Sequence, residues 1–180
     1  MKNPINEIIS RSKSWVERVV IGLNFCPFAG RAFLENKIHF EVVTTSILKE
    51  QLSSILSELQ RLDQSLDLET TLILFPNQFP RFEAYLDFVS LAEGLLVAHE
   101  YEGIYQIASF HPAYIFEGSD EEDPANYTNR SPYPMVHLLR ESSVSKAIDL
   151  HPDVERIPDR NVDFARKMGL EEIRALNKNH

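Results

Sequence analysis

Residues 109–141 read SFHPAYIFEGSDEEDPANYTNRSPYPMVHLLRE. This one stretch gathers His111, His137, Arg130, Arg140, Asn129, Ser131 and Tyr133. Packing alone rarely needs so many titratable and hydrogen-bonding groups. Two neighbouring imidazoles can act as general base and general acid on a bound ligand. A planar guanidinium flanked by an amide and two hydroxyls suits a carboxylate or a phosphate. The expected chemistry is proton transfer by His111 and His137 on a small anion held by Asn129, Arg130, Ser131, Tyr133 and Arg140. With a carboxylate the two histidines could also ligate a metal, but their spacing matches no ligand motif, so no metal is assigned.

The RSPYP segment sharpens this expectation. A residue before proline avoids the α region, so Ser131 and Tyr133 are extended and the helix expected next starts at Pro134. Tyr133 would be its N-cap, with no short side-chain acceptor to offer. The N–H groups of Met135 and Val136 would be left for a ligand anion beside Arg130, or for Ser131 or Asp123 folding back. On that helix Arg140 falls with Val136, Val144 and Ala147 on the apolar side. A buried guanidinium needs a partner, either Glu69, Asp87 or Glu93, or the anion shared with Arg130. Cys26, in NFCPFAG, follows a helix C-terminus, which disfavours a thiolate. It is either an inert buried thiol or a catalytic nucleophile carried to the site by the long connection behind it. His39, His99, His151 and His180 read as surface or packing residues, and the acidic run 120–123 as a solvated loop tip.

The elements that must position these groups show clear periodicity. Asn3 and Pro4 suit the N-cap and first position of a helix carrying Ile5, Ile8, Ile9, Trp15, Val16, Val19, Val20 and Leu23. Residues 38–44 read as a strand, and Ser46 starts a second helix. The run TTLILF at 70–75 is apolar throughout, as in a central strand covered on both faces. Pro80 opens a third helix, and 104–110 form a third strand. Pro134 opens a fourth helix running to about Leu150. Residues 158–168 form a fifth, stopped by Gly169, with a frayed tail behind it. Alternating strands and helices predict an α/β fold: one domain over 1–180, with a small, mainly parallel sheet flanked by helices. Its core spans about 4–150, and 151–180 form a helical extension. A ferredoxin-like α+β arrangement is the alternative, with 114–116 as a fourth, antiparallel strand. Open parallel sheets bind ligands outside the carboxyl ends of their strands. Here that rim comprises Thr44-Thr45-Ser46, Pro76-Asn77-Gln78 and His111-Pro112, the last leading into the longest connection in the chain.

The 180 residues are 43% hydrophobic and 25% charged, enough apolar material for a core of their own. A net charge of −9 argues against nucleic acid or an anionic membrane as partner. No apolar run reaches transmembrane length, and the N-terminus MKNPINEIIS lacks the features of a secretion signal. A single cysteine excludes an internal disulfide and fits a reducing compartment, so the expected location is cytoplasmic. No glycine-rich phosphate loop or nucleophile elbow is present, and no cofactor is assigned. Nothing in the sequence sets the oligomeric state.

Several of these segments carry a resemblance. They are Asn24-Phe25-Cys26-Pro27-Phe28-Ala29, Glu69-Thr70-Thr71-Leu72, Ser109-Phe110-His111-Pro112 with Tyr114 and Phe116, and Asn129 through Pro134 continuing to His137-Leu138-Leu139-Arg140-Glu141. Together, from about Trp15 to Ala147, they resemble an uncharacterised bacterial family, the domain-of-unknown-function family 1415. Phe25 stands where that pattern has Leu. The resemblance implies no activity. It does imply that Cys26, His111 and the RSPYP loop belong together. The reading that follows is an enzyme acting on a small anionic metabolite at a His/Arg-lined pocket. The alternative is a non-catalytic ligand-binding or regulatory domain using the same pocket.

Overall fold

The unbroken apolar run at Thr70 forms an interior strand, as its composition requires. In the computed structural model, which describes residues 3–150 and 154–178, β2 (Thr70–Leu74) is buried at every position. It lies parallel to β1 (Ile38–Val42), with Phe40 opposite Leu72. On its other side is β4 (Met135–Arg140), antiparallel, with Leu72 opposite His137. β4 also pairs antiparallel with β3 (Tyr105–Phe110), Ala108 facing His137. The strand order is β1-β2-β4-β3. β1, β2 and β3 therefore share one direction, and β4 is inserted between β2 and β3 against it.

The α/β class and the helix-flanked sheet hold, but the sheet is mixed: one parallel and two antiparallel pairs. The reason is the segment after Pro134, where the sequence predicts a helix. Met135 to Arg140 is instead a strand, and the helix α5 (Glu141–Leu150) starts only behind it. The N–H groups left for a ligand anion, or for Ser131 or Asp123, now lie on a strand paired with β2 and β3. A short apolar run such as MVHLLR has no decisive period, and two waiting strand edges outweigh the helical signal of Pro134. The alternative arrangement placed a fourth strand at 114–116, which is loop.

Other boundaries shift less. Asn3 caps α1 (Pro4–Trp15), its side chain accepting from the Ile5 N–H at 3.0 Å. The helix continues as a π-helical turn, Val16–Ile21, closed by the Gly22 N–H donating to the Glu17 carbonyl at 3.0 Å. The connection after Cys26 holds a short helix, α2 (Ala29–Leu34). α3 (Leu48–Gln64) and α4 (Phe82–Ala98) each begin two residues later than expected. The long loop carries a 3-10 turn, Pro124–Thr128, capped by Asp123, whose carboxylate accepts from Ala125. After a further 3-10 turn, Val154–Arg156, α6 (Ile157–Met168) ends at Gly169. The φ of 86° there is one that glycine adopts without strain. The expected frayed tail is a helix, α7 (Leu170–Lys178). His151 and His180 lie outside the described residues.

Two apolar layers enclose the sheet. Ile73, Phe75, Val136, Leu138 and Tyr105 face Ile55, Leu59 and Leu62 of α3 and Phe88, Val89 and Ala92 of α4. On the opposite face, Phe40, Leu72, Leu74 and Met135 pack against Trp15, Val16 and Val19 and against Ala165 and Ile173 of the two last helices. The core thus extends past residue 150. Each of the fully buried large side chains contributes about 1.5–3 kcal/mol of transfer free energy.

Candidate functional site

The topology carries the long loop to the rim where the expectation put it. β3 ends there at Phe110 and β4 begins there at Met135, opposite Leu74 and Phe110. The Tyr85 hydroxyl of α4 joins the two strands, donating to the Met135 carbonyl at 2.7 Å and accepting from the Phe110 N–H at 3.0 Å.

His111 follows β3 and is buried against the Phe82 and Tyr85 rings of α4. Its Nδ1 accepts from the Ala113 N–H at 3.0 Å, so the proton sits on Nε2, which donates to the Phe79 carbonyl at 2.8 Å. Burial lowers its pKa, with the Phe79 carbonyl acting the other way. The neutral ring is therefore a clamp with both nitrogens engaged. It holds Phe79, whose φ of 55° is costly for a bulky residue and persists only where surroundings over-determine it.

His137 is elsewhere. It stands in the middle of β4 between Leu72 and Ala108, on the face covered by α1, with the Phe110 ring 6.2 Å away. Thr70 Oγ1 donates to the Leu138 carbonyl, so at 2.6 Å it accepts from His137 Nε2. The ring keeps some accessible surface, but burial dominates and brings its pKa down to about 4. α4, which touches His111, covers the other face. The sheet stands between the two imidazoles.

The loop residues are drawn together at the rim, largely by bonds among themselves. The Asn129 carbonyl accepts from the His111 N–H at 3.2 Å, and its amide donates to the Ser109 carbonyl at 3.2 Å. Ser131 donates to the Tyr133 carbonyl at 2.6 Å. Tyr133 Oη accepts from Arg11 at 3.3 Å, with that guanidinium 5.4 Å over the ring. Arg130 is 9% exposed. Its Nε donates to the Tyr114 carbonyl at 3.1 Å, Nη2 donates to the Glu121 carbonyl at 2.8 Å, and its plane lies 4.5 Å over the Tyr127 ring. Its own carbonyl accepts from the Trp15 indole at 3.0 Å.

Arg140 is not part of this group. It closes β4 at the far end of the sheet, opposite Tyr105. Its partners are the Tyr105 hydroxyl at 3.1 Å, the Leu62 and Ser65 carbonyls at the end of α3 and the Leu68 carbonyl in the turn behind it, not Glu69, Asp87 or Glu93. A helix C-terminus offers negative dipole and spare acceptors, which satisfies a guanidinium without a carboxylate. Cys26 is a half-buried free thiol on the α6 side. Its neighbour Phe25 meets Phe164, and the Phe25 carbonyl accepts from Asn161 at 2.7 Å. Among the described residues no hydrogen bond joins Cys26 to His111.

A recess of about 300 Å3 opens between the long loop and α6, lined by Glu117, Asp120, Asp123 and Arg166 among others. Asp123 is already engaged, by Arg166 at 2.7 Å and by Ala125 and Ser119, which together hold its carboxyl at a pKa of about 2. Carboxylates outnumber the guanidinium there, so the recess is unsuited to an anion.

One cluster was missed from sequence. His39 and Glu41 alternate on edge strand β1 and so share a face, the face that α3 covers with Glu58. His39 Nε2 lies 3.4 Å from Glu41 Oε2 and 3.6 Å from Glu58 Oε2. The i, i+2 pair HFE was visible in sequence. Glu58 joins it only once α3 docks.

No curated protein and no solved structure matches the chain. A family model covers residues 7–175, and by that match the chain belongs to the family described as protein of unknown function (DUF1415).

Proposed function

We propose that the chain is a small-ligand-binding domain of the cytoplasm that takes a small anion against Arg130 at the carboxyl rim. The observation that carries this is the state of the guanidinium. It is nine-tenths buried, yet among the described residues its partners are two neutral carbonyls and an aromatic face. Nη1 has no protein acceptor there and is not sealed off. A charge so far desolvated without an ion-pair partner is stabilised by an anion, and a planar fork suits a carboxylate or phosphate. Binding is favoured over the acid–base enzyme because His111 uses both ring nitrogens on protein groups and His137 faces the other side of the sheet.

The test is titration with inorganic phosphate and with a dicarboxylate, read by the indole N–H signal of Trp15, the chain's one tryptophan, which bonds the Arg130 carbonyl. Saturable shifts in the wild type and in Arg130→Lys at reduced affinity, but not in Arg130→Gln, are expected. Identical shifts in wild type and Arg130→Gln would show screening by salt and end the proposal. So would no shift in the wild type, leaving Arg130 as a loop fastener.

A further inference from the structure

We propose that His39, Glu41 and Glu58 form a binding site for a divalent transition-metal ion of the zinc class, with an open coordination position toward solvent. Three observations converge. The three side chains come from a strand and from the helix packed on it, and one ligand atom of each lies within 4.8 Å of the others. His39 Nε2 is buried and among the described residues has no hydrogen-bond partner, although it points between two carboxylates at 3.4 and 3.6 Å. A tetrahedral ion with bonds of about 2.0–2.2 Å separates its ligand atoms by roughly 3.3–3.6 Å, so the cluster already has the needed spacing on these two edges.

The surroundings fit a cation. Glu58 is 3% exposed, with Arg61 Nε at 2.9 and 3.1 Å from its two oxygens and the Thr71 hydroxyl at 3.5 Å. The two carboxylates outnumber the Arg61 guanidinium, so an entering ion meets attraction. Thr71 orients the buried carboxylate as an outer partner, in the way ligands of bound metals are usually held. Arg61, half exposed, pairs with Glu58 and can turn outward when the ion arrives. The site opens at the free edge of β1, where His39 and Glu41 are about one-third exposed, so water can fill a fourth position. One imidazole and two carboxylates suit zinc, with manganese or iron as weaker competitors by the usual affinity order.

The experiment uses the full chain stripped with a chelator, titrated with Zn2+ against a chromophoric competitor and with Co2+ for its visible absorption. The expected results are one equivalent of Zn2+ and a Co2+ spectrum of four-coordinate intensity. His39→Gln and Glu41→Gln, at half-buried positions of an edge strand, should stay folded and weaken binding by at least the 10–100-fold that loss of even an outer partner costs. Glu58→Gln is read only alongside its thermal melt, because it also orphans Arg61. Zn2+ affinity unchanged in His39→Gln and Glu41→Gln overturns the site, as does a wild type that takes up no Zn2+ or shows only a weak six-coordinate Co2+ spectrum.

Discussion

At the scale of single residues, the histidines show what sequence can and cannot say. His111 was legible as the hinge between a strand and a proline-rich loop, but not as a neutral clamp, because its two partners, Phe79 and Ala113, depend on how the chain turns around it. His137 was legible as a candidate partner of His111 but not as a mid-strand residue on the other face of the sheet, since its own partner Thr70 lies on a strand far back in the chain. Its depressed pKa has a consequence for stability. The folded form titrates near 4 and the unfolded form near 6.5, so the unfolded chain binds the extra proton first. Stability should be flat above the unfolded value and fall as pH drops from about 6.5 toward 4, by at most about 3 kcal/mol from this group. Burial of His111 acts in the same direction. Urea unfolding at pH 7.5 and 4.5 checks it: the difference in stability between wild type and His137→Asn should narrow at low pH. An unchanged difference would mean that His137 is protonated in the folded state.

At the scale of elements, β2 was readable and β4 was not, although both are short apolar runs. TTLILF has β-branched residues and no competing helix signal, while MVHLLR follows Pro134 and precedes a true helical segment. Which run a sheet accepts is settled by partners 25 to 69 residues away, and local pattern does not contain them. The reassignment moves Arg140 from the apolar side of a helix to the last position of a strand, where it ties β4 to the end of α3. Among the described residues no carboxylate pairs with it, so an orphaned acid is not the cost of its removal. What is lost are charge-assisted bonds to helix-terminal carbonyls and to Tyr105, about 1.5–3 kcal/mol net. Arg140→Met, which keeps much of the stem, should lower the urea midpoint by that amount without changing the slope. A change within about 0.5 kcal/mol, typical of surface positions, would show that the α3 carbonyls do as well with water.

At the scale of the whole molecule, the C-terminal helices decide whether the fold closes. From sequence they read as an extension beyond a core ending near residue 150. Their short amphipathic pattern after Gly169 gives no sign of what it covers. In the structure, α6 and α7 lie on the 3-10 turn of the long loop and seal the α1 face of the sheet: Ala165 is 0% exposed and Ile173 1%. Arg166 pairs with Asp123 at 2.7 Å, Arg174 donates to the Tyr127 hydroxyl at 3.2 Å, and Asn161 holds the Phe25 carbonyl. These helices therefore anchor the loop that carries Asn129, Arg130 and Ser131, although none of their residues belongs to that loop. Deleting 157–180 would bare Val16, Val19, Phe25 and Tyr127 together. At about 1.5–3 kcal/mol for each large side chain returned to water, the loss matches the whole stability of an ordinary domain, about 5–15 kcal/mol. The truncated chain should keep helical signal but lose its cooperative melt and near-ultraviolet signal, and bind a hydrophobic dye. Truncation that left the melting midpoint within about 2–4 °C of the full chain would instead make residues 1–156 the self-sufficient unit and the last two helices an accessory.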